Sequence, residues 1–316
     1  MFDYSKEFEA IAKAYEASGG NAQDLFDKKT ASLVVSHHKI LFQNSIPGVN
    51  IEGEEIQNGV RAKIVIEPGT VVKDPVHLCF GVIPAEGVQE ITSEFEIGER
   101  SRVSFIAHCS FPNAIKLKHV MDSKIYVGRN AEMIYTETHY HGKDGGIEVL
   151  PVTKAVIDEG GMLRSEFKLI KGAVGRLDLD YEGTLEKSAV CEFDTKVYGK
   201  GDDKVLVKES LFLNGENSRG LAKSRIVATE RRVSEVIGEA VGSAPNARGH
   251  VDCVEIIKGK ESRVSAVPKL LVVDDRAKLT HEAAIGSVDK KQVETLMARG
   301  LDEDEAVDIV VKGLLR

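Results

Sequence analysis

The sequence predicts a mainly β protein, and three observations lead to this prediction. Short segments that alternate between apolar and polar residues follow one another from about residue 88, and each opens at a Gly, Asn, Asp or charged turn. Between residues 88 and 279, no segment has helical periodicity over three turns. Similar turn sequences recur about 30 residues apart, beginning near Glu99, Gly128, Glu159, Glu186 and Glu216. The pattern is typical of a β-solenoid or of a sandwich of many strands.

The region before this core, residues 1–87, is predicted to be a helical and accessory region. Apolar residues recur at helical spacing between Tyr4 and Ala17, and Gly19-Gly20 ends that helix. A second short helix is predicted around residues 22–28. The apolar segments 33–35 and 40–42 follow, joined through His37-His38.

The region after the core, residues 285–316, is predicted to be a short helical segment following a core of residues 88–284. Ser287 is expected to cap a first helix, which Gly300 ends. Asp302 is expected to cap a second helix, with Glu305 in the capping-box position. The apolar faces of the two helices are predicted to consist of Val293, Leu296 and Met297, and of Ala306, Ile309 and Val310.

Composition and charge exclude several classes of function. The 316 residues carry a net charge of −8, from 42 basic and 50 acidic residues, which argues against nucleic-acid binding. No apolar segment approaches the roughly 18–20 residues that a membrane span needs, and the acidic N-terminus lacks a signal-peptide core. We therefore expect a cytoplasmic protein with no membrane partner.

The four cysteines are scattered and form no CxxC pair, which excludes a zinc ribbon or a ferredoxin-type site. In a reducing compartment they are free thiols. Cys79 and Cys191 each lie in a short apolar segment and are expected to be small buried hydrophobes. Neither a P-loop nor a G-x-S-x-G elbow is present. The chain is therefore not expected to be an enzyme, and any ATP hydrolysis is expected from a partner.

Two histidine-containing segments are candidates for metal chemistry. His139 and His141 share a face if they lie on a strand, as in a cupin-like metal enzyme, but no carboxylate follows at the required spacing because Asp144 lies in a glycine-rich turn. Surface or turn histidines are the favoured interpretation here. His108 and Cys109 fall on opposite faces of a strand, which predicts one in the core and one outside.

Cys253, His281 and Glu282 are the main candidate ligands. Thiolate, imidazole and carboxylate are the side chains that bind iron or zinc. The neighbouring Asp252 and Glu255 would raise the pKa of the Cys253 thiol by charge, whereas a bound metal would deprotonate it. Spacing alone does not decide between a site and a structural role.

The segments around these three residues, with those that follow, contain five motifs: Gly249-His250-Val251-Asp252-Cys253, Ala266-Val267-Pro268, Thr280-His281-Glu282-Ala283, Leu296-Met297-Ala298-Arg299-Gly300-Leu301 and Glu303-Asp304-Glu305-Ala306. Together these motifs resemble the core domain of the SufB/SufD family, whose members are scaffolds for iron–sulfur cluster assembly. The resemblance implies a right-handed parallel β-helix as the core. It also implies that Cys253, His281 and Glu282 hold a transient iron–sulfur cluster at a subunit interface, and that a SufC-type ATPase docks on the C-terminal helices.

The resemblance also implies partners. In the familiar bacterial arrangement one subunit supplies the cysteine and another the histidine; this chain has both. We therefore predict a homodimer through the end of the β-helix core, because one chain offers too few ligands for a cluster. A cysteine desulfurase or another donor would supply sulfur, with Cys109 or Cys191 as a possible entry point, and apo iron–sulfur proteins would accept the cluster. The alternatives are the cupin-like enzyme and a structural adaptor without a cluster.

Overall fold

The computed structural model describes residues 4–25, 27–142, 145–199, 201–229, 231–258 and 261–315. Its helices are α1 (Tyr4–Ser18), α2 (Lys290–Met297) and α3 (Glu303–Leu314), and a 3₁₀ turn covers Ala22–Leu25. Its strands are β1 (Ser32–Ser36), β2 (Lys39–Asn44), β3 (Val49–Ile56), β4 (Gly59–Ile66), β5 (Val76–Gly81), β6 (Glu86–Ile97), β7 (Arg102–Phe111), β8 (Lys116–Val127), β9 (Glu132–His141), β10 (Ile147–Ile157), β11 (Met162–Lys171), β12 (Gly175–Leu185), β13 (Val190–Gly199), β14 (Lys204–Leu213), β15 (Arg219–Thr229), β16 (Val233–Gly242), β17 (Arg248–Lys258), β18 (Arg263–Val272) and β19 (Lys278–Gly286).

From β4 onward, successive strands enter two sheets alternately. The first sheet has the order β19-β17-β15-β13-β11-β9-β7-β5-β1-β2, and the second β18-β16-β14-β12-β10-β8-β6-β4-β3. Each strand from β4 to β17 pairs in parallel with the strand two further along the chain. A chain that returns to the same sheet after every second strand winds as a parallel β-helix, which confirms the predicted core.

Strand alternation explains why these segments fold in this way. In β8, Leu117, Met121 and Ile125 face the interior and are buried, whereas Lys118 and Lys124 between them are exposed. Inward-facing residues of both sheets form one continuous apolar core along the β-helix. The sequence pattern of period two therefore places every second side chain of a strand in the interior.

The turns that recur in the sequence stack on one another at one edge of the β-helix. One residue in each adopts a left-handed conformation, and these residues lie about 30 positions apart, at Gly69, Arg100, Asn130, Gly160, Ser188, Asn217 and Asn246. Asparagine tolerates this conformation better than most residues. The backbone N–H of the left-handed residue donates to a carbonyl in the next turn, as from Asn130 to Glu159 at 3.0 Å.

The N-terminal strands extend both sheets of the β-helix. β1 and β2 form an antiparallel hairpin, β1 pairs in parallel with β5, and β4 pairs in parallel with β6. The predicted boundary at residue 87 thus falls within hydrogen-bonded sheets, and it stays a prediction. The first helix is confirmed as α1, whereas the predicted helix around residues 22–28 is only the short 3₁₀ turn.

Helix α1 lies over the outer face of the first sheet. Its Tyr15 hydroxyl hydrogen-bonds Nδ1 of His77 at 3.0 Å, and Ser18 hydrogen-bonds His108. His108 and Cys109 do point to opposite faces, with Cys109 in the core, but His108 is buried too. The expectation that it would lie outside was wrong, because α1 covers the outer face at this point.

Helices α2 and α3 pack on the same outer face near the other end. The N-cap of α2 is Asp289, whose carboxylate accepts hydrogen bonds from the backbone N–H groups of Lys291 and Gln292, so the prediction of Ser287 was wrong. Ser287 directly follows the last residue of β19, too early to cap the helix. Of the described helices, none is long and apolar enough to cross a membrane.

The capping box at the start of α3 is confirmed. The Asp302 carboxylate accepts a hydrogen bond from the backbone N–H of Glu305, and the Glu305 carboxylate accepts one from the backbone N–H of Asp302. The buried residues of this segment that pack together are Val293, Ala306, Val307, Val311 and Leu315, and Leu296 and Val310 pack against them. The predicted faces are thus confirmed at Val293, Leu296, Ala306 and Val310, and were wrong at Met297 and Ile309, which are exposed.

Candidate functional site

Cys253 lies on the inner face of β17, close to the C-terminal end of the β-helix. In register beside it are Ser224 on β15 and Ala283 on β19. The side chain is buried and belongs to the apolar core. Since β19 is the terminal strand of its sheet, only one strand separates Cys253 from the open end.

His281 lies on the same face as Cys253. It pairs in register with Val251, an inward-facing residue two positions before Cys253. In parallel strands about 4.8 Å apart, with about 3.3 Å per residue, such a diagonal pair has Cα atoms about 8 Å apart. His281 is exposed because no further strand covers β19.

Glu282 lies on the opposite face. It pairs with Asp252, which points outward and forms an ion pair with Arg225, with an Nη2–Oδ2 distance of 2.5 Å. Within one chain, the structure thus brings Cys253 and His281 to one face but places Glu282 on the other. The assignment of these three residues as ligands stays a prediction.

The surroundings of Cys253 keep its thiol protonated in the absence of a metal. Burial raises the pKa of the Cys253 thiol to about 11, and the carboxyl of Glu255 adds to this. Glu255 faces inward two residues further along β17 and is buried, and neither of its carboxylate oxygens accepts a hydrogen bond within the described part of the chain. Burial raises the pKa of Glu255 to about 7.

The end of the β-helix beside Cys253 is an uncovered edge. β18 and β19 are the terminal strands of their sheets. Large apolar side chains are exposed on and between them, at Leu271 (57 %), Val272 (48 %), Val273 (64 %) and Ile285 (47 %). Unpaired strand edges with apolar side chains favour pairing with another chain.

A mostly apolar groove of about 970 Å³ opens beside the same end. Its walls come from β17, β19, α2 and α3, and Glu255 is among its lining residues. The groove therefore connects the strand of Cys253 with the C-terminal helices.

A second polar cluster lies deep in the interior. One ligand atom each from Cys109, Glu137 and His139 lies within 4.8 Å of the other two, and all three residues are buried. His139 Nε2 is 2.7 Å from Glu137 Oε1, and the Tyr135 hydroxyl donates to Glu137 Oε2 at 3.0 Å. His141 completes the cluster, with its Nε2 3.3 Å from His139 Nδ1. Burial raises the pKa of the Cys109 thiol and lowers that of His141.

His139 and His141 share one face of β9, as predicted, but both are buried, so the expectation of surface or turn histidines was wrong. The other strands of the β-helix cover them. Cupins are antiparallel jelly rolls, whereas these sheets are parallel, so the fold does not favour the cupin-like enzyme. Asp144 lies outside the described residues.

Two members of this cluster were missed in the sequence. Glu137 could have been found, since Glu137, His139 and His141 alternate with period two along one strand. His119 on β8 could not, because it reaches the cluster from the opposite sheet. Cys79 and Cys191 are buried as expected.

Comparison with known proteins agrees with the fold and identifies the family. The family model of the SUF system FeS cluster assembly SufBD core domain matches residues 87–314. An iron–sulfur cluster assembly SufBD family protein of Methanocaldococcus jannaschii is 41% identical over 310 residues, covering 98% of each chain. One of Pyrococcus horikoshii is 37% identical, covering 99% of this chain and 95% of the relative. The chain belongs to the SufBD family of iron–sulfur cluster assembly proteins.

Proposed function

We propose that this protein is a scaffold of a SUF-type assembly system that holds a nascent iron–sulfur cluster at a homodimer interface. The observation that carries the proposal is the position of Cys253 and His281, on one face of two neighbouring strands beside the open end of the β-helix. A thiolate and an imidazole are both ligands of iron–sulfur clusters. Their place next to an uncovered edge supports a site shared between two chains.

Two copies are needed because clusters generally take four protein ligands. A two-fold axis through the open end would double the Cys253 and His281 pair. Glu282 is the third proposed ligand. It points to the outer face of β19, so it would reach the cluster around the free edge of this terminal strand rather than from the inner face.

The chemistry of the site suits a cluster that is passed on. Since burial holds the pKa of the Cys253 thiol at about 11, iron must displace a proton to bind, and the loss of iron returns the thiol to its stable neutral form. Few thiolates and a nitrogen or oxygen ligand would hold the cluster loosely. The cluster is therefore cargo in this proposal, with cytoplasmic apo iron–sulfur proteins as acceptors and a cysteine desulfurase as sulfur donor.

A SufC-type ATPase is the proposed energy source, docked on α2 and α3. The two helices pack on Ile256 of β17 and, with β17 and β19, line the groove beside the site. Movement of the helices on ATP hydrolysis would therefore reach the strands that carry Cys253 and His281. This contact supports a route by which the partner opens the dimer and exposes the cluster.

Anaerobic reconstitution with iron and sulfide tests the proposal. We expect wild type to gain the visible absorbance of a cluster and a defined iron content per dimer, and Cys253→Ser to lose both while its folding and dimerisation are unchanged. Cys191→Ser is the matched control, since Cys191 is equally buried in the core but lies on β13. A normal cluster in Cys253→Ser would contradict the site, and no cluster in any variant would favour a structural adaptor.

A further inference from the structure

The cluster of Cys109, Glu137 and His139 has no role in the proposed scaffold site. Cys109 on β7 and His139 on β9 pair in register, and Glu137 precedes His139 by two residues on the same inner face. Five strand spacings of about 4.8 Å in the first sheet separate β7 from β17, about 24 Å along the β-helix. Any function of these three side chains is therefore separate from the function proposed for the site at Cys253.

The hydrogen bonds around His139 leave a lone pair directed at a carboxylate. The Ala173 carbonyl can only accept, so at 3.3 Å the Nδ1 of His141 is the donor. In neutral His141 the Nε2 is then an acceptor, so Nδ1 of His139 must donate to it. Neutral His139 consequently presents an unprotonated Nε2 to Glu137 Oε1, at 2.7 Å.

Two acceptors this close need a cation between them. Tyr135 cannot supply it, because its hydroxyl donates to the other oxygen of Glu137. The cation is either an extra proton, shared by His139 and Glu137, or a metal ion. The Sγ of Cys109 beside the pair is a ligand that a metal ion uses and a proton does not need.

His119 provides independent support for a metal. It is fully buried, neither of its ring nitrogens has a hydrogen-bond partner within the described part of the chain, and its ring centroid is 5.9 Å from that of His139. A buried imidazole without partners destabilises the fold, because its nitrogens lose their hydrogen bonds to water without replacement. The ring nitrogens of His119 lie outside the group of ligand atoms within 4.8 Å of one another, so a shift of this side chain toward the ion would make it a fourth ligand and remove this destabilisation.

We propose that Cys109, Glu137, His139 and His119 bind a divalent transition-metal ion, Zn²⁺ or Fe²⁺, inside the β-helix. A thiolate and a carboxylate neutralise the two charges of the ion, so the complex can be buried without net charge. The mixed sulfur, nitrogen and oxygen set suits a tetrahedral ion. With bonds of about 2.1 Å, tetrahedral geometry opens the contact between His139 and Glu137 to about 3.4 Å. His141 then positions His139 by accepting the hydrogen bond from Nδ1 of His139, as partners of metal-bound histidines do.

Metal content without sulfide tests the inference independently of cluster assembly. The protein is purified after growth with added zinc and, separately, anaerobically with added iron, because the enclosed site is expected to exchange metal slowly. Metal content is then measured by mass spectrometry. After mild chelation, Co²⁺ is added as an optical probe of a tetrahedral site with a thiolate ligand.

We expect a single ion per chain in wild type and in the controls Cys191→Ser and Cys253→Ser. Cys109→Ser and Glu137→Gln should lower the affinity about 100-fold or more, and the Co²⁺ spectrum of Cys109→Ser should lack its thiolate band. His119→Leu separates binding from folding. It removes no hydrogen bond to any described residue, so the metal-free variant should melt no lower than metal-free wild type while binding the ion more weakly.

Three outcomes would overturn the inference. They are the absence of a bound ion in wild type under both growth conditions, binding by Cys109→Ser as tight as by wild type, and unchanged affinity in both single variants, His119→Leu and Glu137→Gln. The zinc and iron preparations identify which ion the site prefers. The Cys253→Ser control keeps the four proposed ligands inside the β-helix. A failure of iron–sulfur cluster assembly in that variant therefore does not affect this test.

Discussion

Several ionisable side chains face the interior of the β-helix, where burial makes their charged forms costly. Glu209 on β14 is buried and accepts a hydrogen bond from the Thr195 hydroxyl at 2.6 Å, and burial raises the pKa of its carboxyl to about 8. Glu255 beside Cys253 has no such donor among the residues that the structure describes. The interior thus combines an apolar core with carboxyl groups that titrate near neutral pH.

Glu209→Gln should make stability less dependent on pH. The pKa of Glu209 is raised from its ordinary value of 4.5 to about 8, so the carboxyl stabilises the fold fully below pH 4.5 and loses this contribution as the pH rises through 8. At pH 9 the variant should exceed wild type in free energy of unfolding by about 5 kcal/mol, which corresponds to the rise of the pKa from 4.5 to about 8 at about 1.4 kcal/mol per pKa unit. The two should be equal at pH 4.5.

Urea unfolding between pH 4.5 and 9 measures this difference. Glu235→Gln is the control, because Glu235 lies exposed on the neighbouring strand β16. Equal stability of Glu209→Gln and wild type at pH 9 would show that Glu209 is not held neutral in the folded protein.

At the residue scale, strand alternation could be predicted from the sequence, and neighbours across coils could not. The shared face of His139 and His141 follows from period two alone. The approach of Cys109 and His119 depends on the register of the coils and on the distance between the sheets. The place of Glu282 on the face opposite His281, in contrast, follows from alternation alone and could have been predicted.

Among the elements, the C-terminal helices show how local signals compete. Asp302 and Glu305 form a capping box that spacing alone identifies. Ser287 and Asp289 are both capping residues by type, and the end of β19 at Gly286 decides in favour of the later one. The faces of the helices follow from what they pack against, which is the outer face of the first sheet.

Asp302→Ala should destabilise α3 locally. The loss of an N-cap costs about 1 kcal/mol, and α3 contributes Ala306, Val307 and Val311 to the cluster that holds both helices to the sheet. We expect faster amide exchange across residues 303–315 and unchanged exchange in β8 to β12.

Hydrogen exchange read by mass spectrometry measures this effect. Glu303→Gln is the control, since Glu303 is an exposed first-turn residue outside the capping box. Similar exchange in both variants would mean that the packing of the helices, rather than the cap, limits opening.

On the scale of the whole molecule, the two ends of the β-helix differ. The N-terminal end carries the β1–β2 hairpin and β3, whereas β18 and β19 end their sheets with exposed apolar side chains. The sequence allowed the β class and the length of its repeat to be predicted, because turns and alternation are local. It could not show that the N-terminal strands join both sheets, since the pairing of β1 with β5 and of β4 with β6 joins residues more than 30 positions apart.

The open end leads to the last prediction, which concerns the proposed homodimer. Leu271 and Val273 are 57 % and 64 % exposed at the terminal strand β18 and the turn that follows it. Replacing both with lysine places two like charges at an interface that the two-fold axis would double, so we expect the dimer to dissociate at least 100-fold more readily, about 2.7 kcal/mol. Cluster reconstitution should fail with it, because each chain would retain only its own ligands. Val71→Lys with Ile115→Lys is the control, since these residues are 62 % and 58 % exposed but lie far from β18 in the sequence and outside the terminal strands. Sedimentation equilibrium measures the dissociation, and a dimer that survives in Leu271→Lys with Val273→Lys would place the interface elsewhere on the molecule.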